Sequence, residues 1–217
     1  MSINKNIITY YKARAKEYEK IYAKPERQGQ LLQASEILQQ IFSGKNVLEI
    51  ACGTGYWTER ISQTASSILA TDINESVIEI AKTKKYNCPV NFQIVDIYKP
   101  AGLTGYESIF GGFIWSHIPL QDLEKFIDNI NAQTIPGGTI VLIDNNYVEG
   151  SSLPVTETDK FGNTYQTRKL EDGSEHLVLK NFPTREFLKD LLHNKATDIE
   201  FIDLKYYWIM KYCPSGA

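Results

Sequence analysis

The chain has 217 residues, enough for one α/β domain with a full core and too few for two large ones. Its formal charge of −3 excludes a general nucleic-acid binder, which needs a basic face. Three scattered cysteines, Cys52, Cys88 and Cys213, fit neither a disulfide framework nor a metal site, and no apolar run is long enough to span a bilayer. The expectation is a soluble cytoplasmic protein without signal peptide or metal.

In chain order, Ile7 to Ile21 reads as a short amphipathic helix carrying Tyr10, Tyr11, Tyr18 and Ile21. Gln28 to Phe42 is a second, with Leu31, Leu32, Ile37, Leu38 and Ile41 on one stripe and Gly44 just past its end. Val47 to Ala51 is a buried strand, followed by the turn Gly53-Thr54-Gly55 and a helix from Tyr56 to Gln63. Ile68 to Thr71 is a strand ending at Asp72, Glu75 to Lys84 a helix, and Val90 to Val95 a strand ending at Asp96. A fourth strand fits Ser108 to Trp115. Pro119 then opens a helix through Leu123, Phe126, Ile127 and Ile130. Pro136-Gly137-Gly138 turns the chain into a fifth strand, Thr139 to Ile143.

This alternation predicts a parallel sheet with helices on both faces. After a helix from Thr184 to His193, the strands Ile199 to Leu204 and Tyr206 to Tyr212 have almost no link between them, so they must pair antiparallel. The whole chain, 1–217, reads as one domain, with 1–43 as N-terminal cap helices and 146–182 as an insertion.

The stretch from Val47 to Thr58 carries most of the chemistry. Glycines at 53 and 55 allow a sharp turn on which a ligand can lie, beside Ala51 and Trp57. A dinucleotide fingerprint wants a third small residue at position 58, where Thr58 stands. Asp72, at the tip of the second strand, suits two ribose hydroxyls. Taken singly, such features are often structural: a strand–helix turn, or an aspartate capping a helix, as beside Asn74 and Glu75. Glycine turn, Asp72 and Asp96, each at a strand end, together resemble the class I S-adenosylmethionine-dependent methyltransferases, over roughly Asn46 to Ile143.

The resemblance implies a Rossmann-like α/β fold with a seven-stranded, mostly parallel sheet and an antiparallel last strand. It implies S-adenosylmethionine as cofactor and S-adenosylhomocysteine as product. Asp96 is then expected to accept the adenine amino group between Ile73 and Ile97, and Glu49 to help receive the methionine ammonium. Tyr11 and Arg14 are candidates for its carboxylate. Gly112 and Phe113, in Gly111-Gly112-Phe113-Ile-Trp115-Ser116-His117, are expected to approach the same ligand.

The acceptor is expected above the carboxyl ends of the strands. His117 is either a helix-start residue or a base or donor near the methyl group. In the insertion, Tyr165 to Leu170 and Ser174 to Lys180 flank Glu171-Asp172-Gly173 and allow two hairpin registers. A two-residue turn separates Arg168 from Lys180. A three-residue loop with Gly173 left-handed sets both on one face with His176, gathers Tyr165, Leu177 and Leu179 on the other, and is preferred. That hairpin is a flap with a cationic and an apolar side, either of which could face the domain. Its cations are either a solvated face or an anion clamp, with Arg168 bidentate and Lys180 a point charge.

Tyr10-Tyr11-x-Ala-Arg14-Ala-x-Glu-Tyr18, Cys52-Gly-Thr-Gly-Tyr-Trp-Thr58, Ser116-His117-Ile-Pro119 and Arg168-x-Leu-x-Asp-Gly-(six residues)-Lys180-x-Phe182 are together similar to the bacterial phosphonate O-methyltransferases. That likeness implies a phosphonate held by Arg168, Lys180 and His117. The segment from Glu19 through Tyr22 and Pro25 to Arg27 departs from the family pattern, and no counterpart of its pocket tyrosine is assigned there. The resulting expectation is a monomer or homodimer acting on a small anionic molecule, with no nucleic-acid or membrane partner. The alternative is a neutral phenol, alcohol or amine with His117 as base. A nicotinamide-dependent oxidoreductase shares the glycine turn and Asp72 but has no use for Asp96. A non-catalytic binding protein has no use for a charged acceptor pocket.

Overall fold

Strand β1 (Asn46–Ile50) is apolar except for Asn46 and Glu49 and is buried along all but its first residue, as a central parallel strand must be. Around it the computed structural model, which describes residues 5–99 and 102–215, builds a seven-stranded sheet in the order β3-β2-β1-β4-β5-β10-β9. The partners are β2 (Ser67–Asp72), β3 (Val90–Ile94), β4 (Tyr106–Gly112), β5 (Thr134–Asn145), β9 (Ala196–Asp203) and β10 (Tyr207–Pro214). Strands β1 to β5 run parallel, and β10 pairs antiparallel with both β5 and β9. The expected closing hairpin is therefore present, and the sheet has the class I methyltransferase arrangement. No helix among the described residues is long and apolar enough to cross a membrane.

Helices α3 (Tyr56–Ile61), α4 (Glu75–Lys82), α5 (Leu123–Gln133) and α6 (Arg185–Leu192) fill the crossovers, and two apolar clusters form the cores on opposite faces of the sheet. The Thr184 hydroxyl caps α6 by accepting from the Phe187 amide. In α2 (Gln28–Ile41) the buried row is Leu31, Ala34, Ser35 and Leu38; Leu32 falls off that row and is 62% exposed, against expectation. The Pro136-Gly137-Gly138 turn is an irregularity inside β5, where the register with β4 shifts and Gly137 takes a φ of 75°.

The N-terminal segment is not one helix. An α-helix, α1 (Lys5–Arg14), tightens into a 3-10 helix over Ala15–Ala23. A three-residue repeat lines up Ala15, Tyr18 and Ile21 on one side, which sets Tyr18 over the strand ends. Of the expected cap over 1–43, residues 1–4 lie outside the described residues.

The insertion forms a small antiparallel sheet of β6 (Glu157–Thr158), β7 (Thr164–Lys169) and β8 (Glu175–Leu179). Arg168 faces His176, the Gly173 amide donates to the Leu170 carbonyl, and Gly173 has a φ of 87°, so the three-residue loop is the one formed. The cationic side faces the domain: Gln166, Leu170, Val178 and Lys180 are buried, while Leu177 on the other side is 41% exposed. Packing against α1 through Tyr10, Leu170 and Val178 explains that choice, since the inward face carries its own apolar residues between the polar ones.

Candidate functional site

Two cavities open above the carboxyl ends of the strands, where open α/β sheets bind ligands. The first, about 270 Å³, lies at the ends of β1, β2 and β4. Its floor is Ala51, Gly53, Asp72 and Gly112, and Ile73, Val95 and Ile97 supply apolar wall. Two non-glycine residues at its edge, Ala51 (φ 53°) and Phe113 (φ 59°), hold left-handed backbone, strain that clusters at ligand sites.

Asp72 is buried, and its two carboxylate oxygens accept from the amides of Gly53 (2.9 Å) and Asn74 (2.8 Å). Burial raises its pKa above the ordinary value, against the pull of these amides. Each oxygen keeps a further acceptor position for a ligand hydroxyl. Ile73 and Ile97 line the cavity as expected. Asp96 does not line it; its Oδ1 accepts from the Tyr98 amide at 2.9 Å.

Three residues expected at the ligand line neither cavity. Trp57 is in the core, and a Cβ on Gly112 would meet its Cδ1 at 2.7 Å, so the indole dictates that glycine. Gly55 (φ 79°) lies against Tyr86 and Ala81. Glu49 is wholly buried, lines neither cavity, and has an unpartnered Oε2; burial pushes its pKa up to about 8.

The second cavity, about 450 Å³, lies between the N-terminal segment, the flap and the end of β5. Its lining holds seven lysines and arginines (Arg14, Lys20, Lys24, Arg27, Arg168, Lys169, Lys180) and one acid, Glu17. Tyr11, Tyr18, Phe113 and His117 line both cavities and form the wall between them. Arg14 lines only the second, with its guanidinium 5.6 Å from the Tyr10 ring centre and 5.4 Å from that of Tyr18.

His117 has a defined tautomer. Its Nδ1 is 2.6 Å from the Leu179 carbonyl, which can only accept, so Nδ1 carries the proton. Burial, with Lys180 and Arg168 nearby, holds the ring's pKa well below 6.5 and keeps it neutral. Nε2 is then an acceptor, and the Tyr11 hydroxyl donates to it at 2.6 Å. The only lone pair that could act as a base is occupied.

Lys180 is not a free cation. Its Nζ donates to Asp144 Oδ1 at 2.8 Å and to Ser116 Oγ at 2.5 Å, all three residues being buried. Burial acts to raise the Asp144 pKa, but the charge and hydrogen bond of Lys180, with the Ser116 amide, hold it below the ordinary carboxylate value, so the pair is ionised. Arg168 differs. One terminal nitrogen donates to Gln166 at 3.0 Å, its Nε is buried without a partner, and it is beside Tyr10 and Tyr11. Sequence reasoning missed Asp144 and Ser116, although an acid at the tip of β5 repeats the strand-end pattern of Asp72. It also missed Arg27, whose segment shows no periodic signal.

Sheet order and strand-end crevice together define a class I methyltransferase fold. Residues 47–138 match the family described as methyltransferase domain. Among solved structures, DhpI in complex with SAH superposes with a TM-score of 0.82 at 23% identity, covering 99% of this chain and 98% of that one. Among curated proteins, the ubiquinone biosynthesis O-methyltransferase of Coxiella burnetii is 30% identical over 108 residues, 48% of this chain and 45% of that protein. The malonyl-(acyl-carrier protein) O-methyltransferase 2 of Ilyobacter polytropus is 28% identical over 178 residues, 77% of this chain and 62% of that protein. The chain thus spans about half the length of the curated relatives it matches.

Proposed function

We propose that this protein is an S-adenosylmethionine-dependent methyltransferase that O-methylates a small anionic molecule, a phosphonate or a carboxylate. The observation that carries the reading is the pairing of cavities: a strand-end cavity with no Lys or Arg in its lining meets a strongly cationic one across Tyr11, Tyr18, Phe113 and His117. The likeness to DhpI, whose structure is also known with SAM and HEP (TM-score 0.82, 23% identity), supports a cofactor and an acceptor side by side. The two curated relatives, both O-methyltransferases by name, support transfer to oxygen.

The residues of the first cavity fit the cofactor. Asp72 suits its ribose hydroxyls, Ile73 and Ile97 the faces of its adenine, and the backbone of Gly53 and Gly112 leaves room for its chain. Asp96, beside that wall, remains a candidate for the adenine amino group, and Glu49, beneath it, a more distant counter-charge. S-adenosylmethionine, when bound, supplies an already activated methyl group. The protein's task is then alignment and exclusion of water.

Arg168 is the anion holder, with Arg14 as the second charge on the wall side. Lys180, neutralised by Asp144, positions Ser116 and the flap and does not draw charge from the attacking oxygen. His117 orients Tyr11, whose hydroxyl lies on the path between the cavities. An acceptor that is anionic at neutral pH needs no base, which suits a histidine whose lone pair is engaged.

Calorimetric titration with S-adenosylhomocysteine, then with an alkylphosphonate added to that complex, tests the reading. Sequential binding, with the second step lost in Arg168→Ala, is the expected outcome. A folded protein that ignores S-adenosylhomocysteine would overturn it.

A further inference from the structure

The second cavity holds more cationic capacity than one small anion uses. The chain has five arginines, at 14, 27, 60, 168 and 185. Arg60 and Arg185 have carboxylates within 4.0 Å; Arg14, Arg27 and Arg168 have none among the described residues, and all three line this cavity. A cation that is kept from water and not paired with an acid is costly unless a ligand supplies the counter-charge.

Arg27 is the most buried of the three, at 7% exposure. It lies near the end of β5, with its guanidinium 5.0 Å from the Tyr206 ring centre and 5.9 Å from that of Tyr207, the ring that stacks on Phe113 of the wall. Its donors reach only neutral acceptors: Nε and Nη2 go to Ser151 Oγ at 3.1 and 2.9 Å, and Nη1 to Asn145 Oδ1 at 3.3 Å. The Tyr207 hydroxyl is a further neutral partner, and no carboxylate lies within 4.0 Å of the guanidinium among the described residues. Glu26 is reached only through the Ser151 hydroxyl and is exposed, where solvent screens it. Arg168 donates to Gln166 and lies beside Tyr10 and Tyr11, so the two guanidinium groups share no contacting side chain.

Resting on the proposed function, we infer that the acceptor is a dianionic small molecule, with one anionic group held for methylation by Arg168 and a second, distal one bound by Arg27. The two arginines line one cavity but are held by different residues, so the charges of the acceptor must be set apart by a spacer. A cavity of about 450 Å³ has room for such a molecule. Arg27 is on this account a specificity residue, and its bonds to Ser151 and Asn145 hold the guanidinium in place.

The test uses two probes of equal chain length, propylphosphonate and 3-phosphonopropanoate, titrated into the full chain saturated with S-adenosylhomocysteine. The probe with the second anionic group, 3-phosphonopropanoate, is expected to bind at least tenfold tighter. Arg27→Gln should bring the ratio of the two affinities close to one. Lys169→Gln, which removes the same charge from an exposed position of the lining, should leave the ratio within twofold. Equal binding of the two probes to the unmodified protein overturns the inference without any variant and leaves the anionic-acceptor reading standing. A ratio unchanged in Arg27→Gln, or one that collapses equally in Lys169→Gln, overturns the distal subsite. Binding of neither probe overturns this inference and the anionic-acceptor reading together.

Discussion

The cavity at the strand ends and the cavity under the flap meet at four residues, yet they are built from opposite materials. The first is carved from backbone: left-handed turns after β1 and β4, amides gathered by Asp72, and an aliphatic wall. The second is made of long cationic side chains brought in by the N-terminal segment and the insertion. Their buried acids differ in the same way. Asp144, under the flap, is ionised because Lys180 touches it; Glu49, under the strand ends, touches no cation and burial favours its neutral form. A fold-wide cofactor site can rest on backbone geometry, whereas a site for one acceptor is added as side chains on segments outside the common sheet.

Removing Asp144 strikes that comparison hardest. Asp144→Ala leaves Lys180 buried and unpaired, and is expected to cost about 3–5 kcal/mol, a fall in Tm of roughly 6–20 °C. Adding Lys180→Met should recover much of it; a single variant as stable as the parent would mean the pair is not ionised.

Glu49 offers the converse. Its pKa is near 4.5 when unfolded and about 8 when folded, so the folded state holds the extra proton between these values. Stability from this group is fully present below pH 4.5 and is lost as pH rises through 8, by about 2–3 kcal/mol between pH 5 and 7. Denaturation of Glu49→Gln against the parent should show that slope flattened. A parent whose stability relative to the variant rises over this window would contradict the assignment.

Division of labour between the cavities is probed by a reciprocal pair. Arg168→Ala is expected to weaken an alkylphosphonate about 100-fold and S-adenosylhomocysteine less than twofold. Asp72→Ala should weaken S-adenosylhomocysteine at least tenfold, by loss of about 1–3 kcal/mol of hydrogen bonding. Parallel losses of both ligands in both variants would merge the two sites into one.

The smallest effect concerns His117. Gln can accept from Tyr11 and donate to the Leu179 carbonyl, so His117→Gln should keep kcat on an anionic acceptor within about threefold, too little for loss of a general base. A fall of 100-fold or more would restore the histidine to a proton-transfer role.

The first cavity was largely legible in the sequence, because its determinants sit at strand ends and strand ends are marked by Gly53, Asp72 and Gly112. Trp57 and Gly55 line neither cavity, since residues that let a turn form and residues that line its ligand look alike in sequence. The flap register could be read from the segregation of Arg168, His176 and Lys180, but which side faces inward could not. That was decided by packing of Leu170 and Val178 against Tyr10, some 160 residues away along the chain. Lys180 looked like a free cation because its partner, Asp144, belongs to another strand. Arg27 owes its burial to Ser151, Asn145 and two distant tyrosines, contacts that no local pattern announces.

The central claim is that a methyl group passes from the strand-end cavity to an anionic oxygen in the flap cavity. The most direct measurement follows a ¹³C-methyl label from S-adenosylmethionine by NMR in the presence of the purified protein and 3-phosphonopropanoate. The account predicts a new methyl ester signal, split by phosphorus, that requires the acceptor and vanishes in Arg168→Ala. A protein that binds S-adenosylhomocysteine yet leaves the label on the cofactor with every phosphonate and carboxylate tried would contradict it.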